Sequence, residues 1–202
     1  MLFNERIMGA IISTLLVASL PALSQANVAE TAKQCDTCHG TNGVSKNGKV
    51  PTIAGFSAAT ITEILPQYQS GARAAEKYTP KGGKASDMKE VTKDMSAADM
   101  QAIADHYAEQ KFVAASQTVD AALAAKGKKI HNKNCEKCHS EGASLADDDA
   151  GILAGQWKPY LERQFALIAE GKREIPKKMK KKLKKLSAED IKAVTEYYAS
   201  QK

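Results

Sequence analysis

Two short segments of this 202-residue chain bring cysteine and histidine together in one pattern. Both segments read Cys-x-x-Cys-His: Cys35, Cys38 and His39, and, 100 residues later, Cys135, Cys138 and His139. This is the attachment pattern of haem c. Two thiols at this spacing reach the two vinyl groups on one side of a porphyrin, and the adjacent histidine can ligate the iron. The motifs therefore predict two covalently bound haem c groups, held by four thioethers.

Three other kinds of site use the same residue types, and the sequence disfavours each of them. A zinc site needs four ligands in one closed cluster, whereas each motif supplies its own histidine. A thioredoxin-like pair needs a βαβ setting, which the sequence lacks. Disulfides suit an oxidising compartment, but they would leave both histidines and the repeat unexplained. With thioethers on all four cysteines, none remains as a disulfide, a nucleophile or a thiolate ligand.

The spacing of the motifs is part of an internal duplication. Segments 53–55 and 71–73 match segments 153–155 and 171–173 at the same displacement of 100 residues. The first half then carries nine extra residues, rich in lysine and glycine, within roughly 74–87. After this insert the register resumes at a displacement of 91 residues. A repeat of this length indicates two duplicated domains and not a solenoid.

The pattern of apolar residues predicts helices throughout, with no strand-like alternation. Helices are expected before each motif and again in the middle of each half, over 27–34, 58–70, 119–133 and 158–170. Ser57 is placed to cap the helix over 58–70, and Pro66 should bend or shorten it. Ser96 and Ser187 each precede an acidic residue by three positions, as in a capping box, so each begins a final helix. The chain is therefore expected to be all-α.

The first 26 residues are typical of a secretory signal peptide. An apolar run of about 14 residues follows Arg6, and Ser24-Gln25-Ala26 places small residues where a signal peptidase cuts. The run is too short to span the roughly 30 Å hydrocarbon core of a bilayer, and no second such run follows. We expect a periplasmic protein without a transmembrane segment after cleavage. Its two cytochrome-type domains are expected over 27–113 and 114–202.

Methionines supply the expected second axial ligands. The second half contains a single methionine, Met179, eight residues before the serine that caps the final helix. Met88 occupies the same position in the first half. The other two methionines there, Met95 and Met100, abut the cap and lie on the apolar helix face, which favours core packing. The repeat therefore pairs each methionine with the histidine of its own motif: Met88 with His39, and Met179 with His139.

Ligation by histidine and methionine raises the reduction potential and closes both axial positions of the iron. A closed iron carries electrons and binds no substrate, so no catalytic site is expected on this chain. Two further histidines are less suited to ligate iron. His106 stands at the repeat position of Tyr197, which favours a surface or domain contact, and His131 lies one helical turn before Cys135.

Two pairs of matched residues are candidates for supporting each haem. Pro51 follows His39 by 12 residues, and its carbonyl can accept a hydrogen bond that orients the imidazole. Gly151 is the matching residue in the second half, with a less rigid carbonyl. Arg73 and Arg173 occupy matched positions and could pair with haem propionates. Solvated arginines at helix ends are the alternative.

Charge is distributed unevenly between the halves. Residues 27–113 carry 10 basic and 10 acidic side chains, and residues 114–202 carry 18 basic and 12 acidic ones. Most of the excess is the lysine cluster, the seven lysines from Lys177 to Lys185 that flank Met179. Nucleic acid is a poor partner for a secreted chain. The cluster is therefore either a docking surface for an acidic redox protein or a solvated face.

The whole mature chain resembles the dihaem class I cytochromes c of the c-four type. The shared features are the two motifs, the Leu-Ala-Gly-Gln segment at 153–156, the Gly-x-Arg and a methionine before a serine-capped final helix. The second half resembles in particular the haem subunit of flavocytochrome c sulfide dehydrogenase. That likeness is carried by 135–142, 145–148, 152–161 and 177–179, with 112–131 fitting as well. The first half departs more, with Phe56 in place of the glutamine and with the insert.

The resemblance implies two tandem class I cytochrome c domains and a partner flavoprotein that oxidises sulfide and passes electrons to the haems. The chain has no Gly-x-Gly-x-x-Gly and no Rossmann-like pattern, so any FAD must belong to another subunit. The alternative is a free dihaem carrier that delivers electrons to a terminal oxidase or another acceptor. The sequence leaves both functions open.

Overall fold

The computed structural model describes residues 25–202, and the predicted signal peptide lies outside them apart from its last two residues. The first half contains four helices: α1 Gln25–His39, α2 Ala58–Ser70, α3 Met88–Thr92 and α4 Ala97–Ala108. The second half contains five: α5 Ala121–Asn134, α6 Ser140–Ala143, α7 Lys158–Ala169, α8 Lys177–Leu183 and α9 Ala188–Ser200. Within residues 25–202, the only β-type pairing consists of two isolated β-bridges, Arg73 with Arg173 and Tyr78 with Ser86. The expected all-α class is confirmed.

Serine caps begin the helices where the sequence predicts them. Ser96 and Ser187 both form complete capping boxes, each with the acidic residue three positions on. The Ser57 hydroxyl accepts a hydrogen bond from the Thr60 amide at 3.1 Å, at the start of α2. α2 continues past Pro66 to its end at Ser70, so the expected shortening is wrong. Pro66 is exposed, and water can satisfy the carbonyl that the missing N–H leaves unpaired.

The last helix of each half contributes buried side chains to the core of that half. Met100, Ile103 and Tyr107 of α4 are buried, as their shared helix face predicts. In the second half, α9 packs closely across α5 at Gly127, where an added Cβ would lie 2.0 Å from the Ala193 carbonyl oxygen. Glycine at this crossing therefore has a packing role. Among the described residues, no helix is long and apolar enough to cross a bilayer.

The two halves are joined by buried hydrogen bonds. Gln156 is fully buried, and its side chain bonds both backbone groups of Thr52 in the other half. The Trp157 indole donates to the Ser45 carbonyl at 3.0 Å. Phe56, the residue that matches Gln156, belongs to the apolar cluster of the first half, which also includes Ile152 and Ala154 of the second. Each half thus inserts a side chain from the same repeat position into the other.

Gln156→Leu should weaken the contact between the halves. Leucine fills a similar volume but leaves the buried N–H and C=O of Thr52 unpaired, which costs about 1–3 kcal/mol. Chemical denaturation of the haem-loaded protein measures the loss in free energy of unfolding. Gln101→Leu is the matched control, because Gln101 is exposed and bonds only Asp105 in its own helix. Equal losses in the two variants would contradict a specific role for Gln156.

Candidate haem sites

The first motif lies on the last turn of α1. Cys35 and Cys38 are partly buried there, and His39, the final residue of the helix, is buried. The Nδ1 atom of His39 lies 2.9 Å from the Pro51 carbonyl oxygen, as expected, which leaves Nε2 as the nitrogen able to bind iron. Burial lowers the pKa of His39 and so favours the neutral ring that ligates a metal.

An apolar cavity of about 180 Å³ opens beside this motif. Its wall includes both cysteines of the motif, His39, Met88 at the start of α3, and Met95. Met100 lies away from it in the buried core. The expected pair His39 and Met88 therefore faces one space, and Met95 shares that space.

A buried tyrosine and an acidic residue secure each motif, a feature that the sequence reasoning missed. The Tyr107 hydroxyl donates to the Asp36 carboxylate at 2.9 Å, and Asp36 in turn accepts from the Asn42 and Gly43 amides. Burial raises the pKa of Cys35 to about 11, so the thiol of the haem-free chain is protonated at neutral pH. The detectable signal was an acid after the first cysteine of both motifs, together with tyrosines at matched positions.

The second motif differs from the first in its backbone. α5 ends at Asn134, so the segment from Cys135 to His139 forms turns and not a helical end. The Nδ1 atom of His139 is buried without a hydrogen-bond partner, and the expected bond to Gly151 is absent. Gly151 has φ 71°, a left-handed conformation closed to proline, so the backbone here differs from that at Pro51.

His131 joins the tyrosine and the acid in the second half. It is fully buried, its Nδ1 lies 3.1 Å from the Tyr198 hydroxyl, and its Nε2 bonds the Glu136 carboxylate. Both ring nitrogens are therefore engaged within the protein. His106 is partly buried and packs edge-on against Tyr107 with the ring centroids 4.9 Å apart.

Arg73 and Arg173 meet at the contact between the halves. Arg73 is only 3% exposed, donates to Gln164 and Tyr160, and keeps a buried Nε without a partner. Arg173 donates to Gln164 as well, at 3.0 Å. Burial and then the charge of Arg73 lower the pKa of Arg173 to about 10. Within residues 27–202, no carboxylate forms an ion pair with either arginine. Because Arg73 is buried, the reading of it as a solvated side chain is wrong, whereas Arg173 is partly exposed.

These features fit haem c. All four cysteines are free of disulfides, the cavity beside the first motif is lined mainly by apolar side chains, and a histidine nitrogen is available there. The arginine pair also requires negative charge, because buried cations without counterions are costly. Haem supplies two propionate carboxylates per group, which match guanidinium groups in charge and shape.

Met179 lies within α8, a seven-residue helix that carries most of the lysine cluster. Its side chain is partly buried, whereas all seven lysines are exposed. No lysine of the cluster forms an ion pair with an acidic side chain of the described chain. Burial raises the pKa of the Cys135 thiol, and the positive charge of nearby Lys182 opposes that shift. Lys182 of the cluster therefore lies near enough to the second motif for its charge to act on the Cys135 thiol.

Comparison with known families assigns each half. The cytochrome c family model matches residues 26–108, and the family described as cytochrome c oxidase, cbb3-type, subunit III matches residues 122–197. No curated protein sequence matches the chain.

Solved structures match both halves together. Reduced recombinant cytochrome c4 from Pseudomonas stutzeri is 25% identical over 88% of this chain and 97% of its own, with a TM-score of 0.70. Cytochrome c4 from Acidithiobacillus ferrooxidans is 26% identical over 83% and 99%, with a TM-score of 0.68. Thiosulfate dehydrogenase (TsdBA) from Marichromatium purpuratum, 22% identical with a TM-score of 0.67, shares the fold over 83% of this chain and 36% of its own.

The duplicated motifs, the two family matches and the near-complete overlap with cytochrome c4 agree with one another. The chain carries two covalently bound haem c groups and is an electron-transfer protein. It is a dihaem cytochrome c that is similar to the c-four type.

Proposed function

We propose that this cytochrome is the periplasmic haem subunit of a sulfide-oxidising flavoenzyme and accepts electrons from an FAD-containing subunit. The observation that carries the proposal is the likeness of the second half to the haem subunit of flavocytochrome c sulfide dehydrogenase. The likeness includes segment 152–161, whose Gln156, Trp157 and Tyr160 reach the first half. The stoichiometry also fits, because a reduced flavin releases two electrons and each haem iron accepts one.

A free electron carrier of the c-four type is the second candidate. It is favoured by the cytochrome c4 structures, which this chain matches over 97% and 99% of their lengths. In both functions the predicted signal peptide directs the chain to the periplasm, and the domain boundaries 27–113 and 114–202 place one haem in each half.

The side chains of this protein hold each haem and exclude other chemistry. Bound haem supplies a reversible one-electron change at its iron. The cysteines would hold each haem covalently, and His39 with Met88, and His139 with Met179, would ligate its iron. Arg73 and Arg173 would bind haem propionates where the halves meet.

Native purification tests the flavoprotein proposal. The chain, tagged beyond Lys202, should copurify from periplasm with a protein that shows a flavin absorption spectrum, and added sulfide should reduce the haems of that complex. A mutant strain lacking the copurified flavoprotein is the control, since its haems should stay oxidised. A cytochrome recovered alone, with haems that sulfide does not reduce in periplasmic extract, would favour the free carrier.

Methionine substitutions test the axial ligands. Met179→Ala should remove the far-red absorption band of methionine-ligated ferric haem from one haem and lower the potential of that haem. Met88→Ala should do the same for the other haem. Met95→Ala and Met100→Ala are the matched controls and should keep both bands. A lost band in Met95→Ala with an intact band in Met88→Ala would show that the repeat assigns the wrong methionine.

We also propose that the lysine cluster docks an acidic redox partner. Its seven charges are exposed and unpaired by the described residues, and the charge of Lys182 acts on the pKa of the Cys135 thiol in the second motif. Dense like charges repel one another, and an acidic surface would relieve that repulsion while it steers the encounter.

Neutralising part of the cluster should flatten the salt dependence of electron transfer. In a Lys180→Gln, Lys181→Gln, Lys182→Gln variant, the rate with an acidic small cytochrome should fall severalfold at low ionic strength and vary less with salt, because a steering charge is lost. The matched control is Lys128→Gln, Lys129→Gln, Lys133→Gln on α5. Equal salt slopes for the unaltered protein and the cluster variant would leave the lysines as a solvated face.

A further inference from the structure

Gln69 makes an unusual set of contacts near the end of α2. Its Nε2 atom lies 2.9 Å from the Thr92 carbonyl oxygen, 3.1 Å from that of Lys93 and 3.1 Å from that of Met95. Thr92 is the last residue of α3, and Lys93 and Met95 belong to the turn that follows it. The last backbone acceptors of a helix lack partners within it. One side-chain amide thus contacts three carbonyl oxygens at and just after the C-terminal end of the helix that carries Met88.

Thr92 connects Gln69 to Met88, because its carbonyl contacts Gln69 and its hydroxyl bonds Met88. Its side chain is fully buried, and its hydroxyl donates to the Met88 carbonyl at 2.8 Å. At the other end of α3, the Asp87 carboxylate accepts from the Glu90 amide at 3.0 Å. A helix of five residues has little stability of its own, so the bonds of Asp87 and Thr92 stabilise the helix itself, and the contacts of Gln69 tie its end to α2.

The second half has no counterpart of this arrangement. The repeat register places Ala169 at the position of Gln69 and Leu183 at the position of Thr92. Neither residue has a side-chain hydrogen-bonding group. α8 also has no buried residue, and its last turn is closed by backbone bonds alone, such as the Lys185 amide to the Lys182 carbonyl. The two methionine segments are therefore held in different ways.

We propose that Gln69 is a positioning residue that keeps Met88 on the iron of the first haem, with Thr92 as the link between them. This inference rests on the proposed ligation by Met88. Opening of the Met88 segment must break the contacts of Gln69, so the amide raises the free energy of the open form. The first haem should consequently resist replacement of its methionine by added ligands more strongly than the second.

Imidazole titration of the ferric, haem-loaded protein tests the proposal. The Met179→Ala background leaves the far-red band to the first haem, so loss of that band reports replacement of Met88. In this background Gln69→Ala should raise the affinity for imidazole about tenfold, as expected for the loss of roughly one to two net hydrogen bonds. Gln69→Glu should act similarly, because a carboxylate cannot donate. Thr92→Val should act in the same direction.

Two further variants separate positioning from general stability. Gln67→Ala is the matched control, because its amide donates only to Glu63 on the same helix. Gln69→Lys restores N–H donors for the three carbonyls and should return the imidazole affinity toward that of the background protein. Hydrogen exchange of amides 88–95 should accelerate in Gln69→Ala and slow again in Gln69→Lys.

The outcomes distinguish this inference from the ligand assignment. A Gln69→Ala protein with a lower denaturation midpoint but an unchanged imidazole affinity would overturn the positioning role and leave Met88 as the ligand. A far-red band that survives Met88→Ala in the Met179→Ala background would overturn the ligand assignment and this inference together.

Discussion

Two positive charges, those of Arg73 and Arg173, lie side by side where the halves of the molecule meet. Removing a cation from water costs several kcal/mol, and a like charge nearby adds to the cost. The protein offsets part of this cost through the side-chain amide oxygen of Gln164 and the Tyr160 hydroxyl, which both accept from Arg73. The face of the Tyr68 ring, 5.1 Å from the Arg73 guanidinium carbon, contributes as well. Neutral groups cannot balance the charge. Under the proposed pairing, haem propionates would supply the missing counter-charge and so couple the domain contact to haem attachment.

The sequence predicted most of what repeats. Spacing alone located both motifs, and serine followed by an acid located the starts of α4 and α9, because capping is a local interaction. The bond from His39 to Pro51 was predictable for a related reason, since proline fixes its own backbone. Features built from residues distant in the chain were missed. The contacts of Gln69 with the end of α3 span 23 to 26 residues, and a lone glutamine gives no sign of them.

The second half departs from the first in ways that the repeat does not show. The sequence comparison treated Gly151 as a looser version of Pro51, but Gly151 takes a left-handed conformation that proline cannot adopt. The sequence also predicted that the helix before each motif ends ahead of it, at 34 and at 133; α5 does end before Cys135, whereas α1 continues through the first motif to His39. In the second half His131 bonds the Tyr198 hydroxyl, whereas in the first half the matching Tyr107 hydroxyl bonds the Ala32 carbonyl and Asp36. A comparison of the repeats cannot show a contact that exists in one copy alone.

The difference between the two methionine segments links these observations to function. In the first half, an amide and a buried hydroxyl fix α3, and the surrounding domain carries no net charge. In the second half, α8 has no such support, and lysines one turn apart on a helix repel one another. Under the proposed ligation, its position would depend on the bond from Met179 to iron and on counter-charge supplied by a partner. A partner that brings acidic groups to α8 would therefore stabilise the methionine-ligated form of the second haem by binding, whereas the first haem obtains the same stabilisation from its own protein.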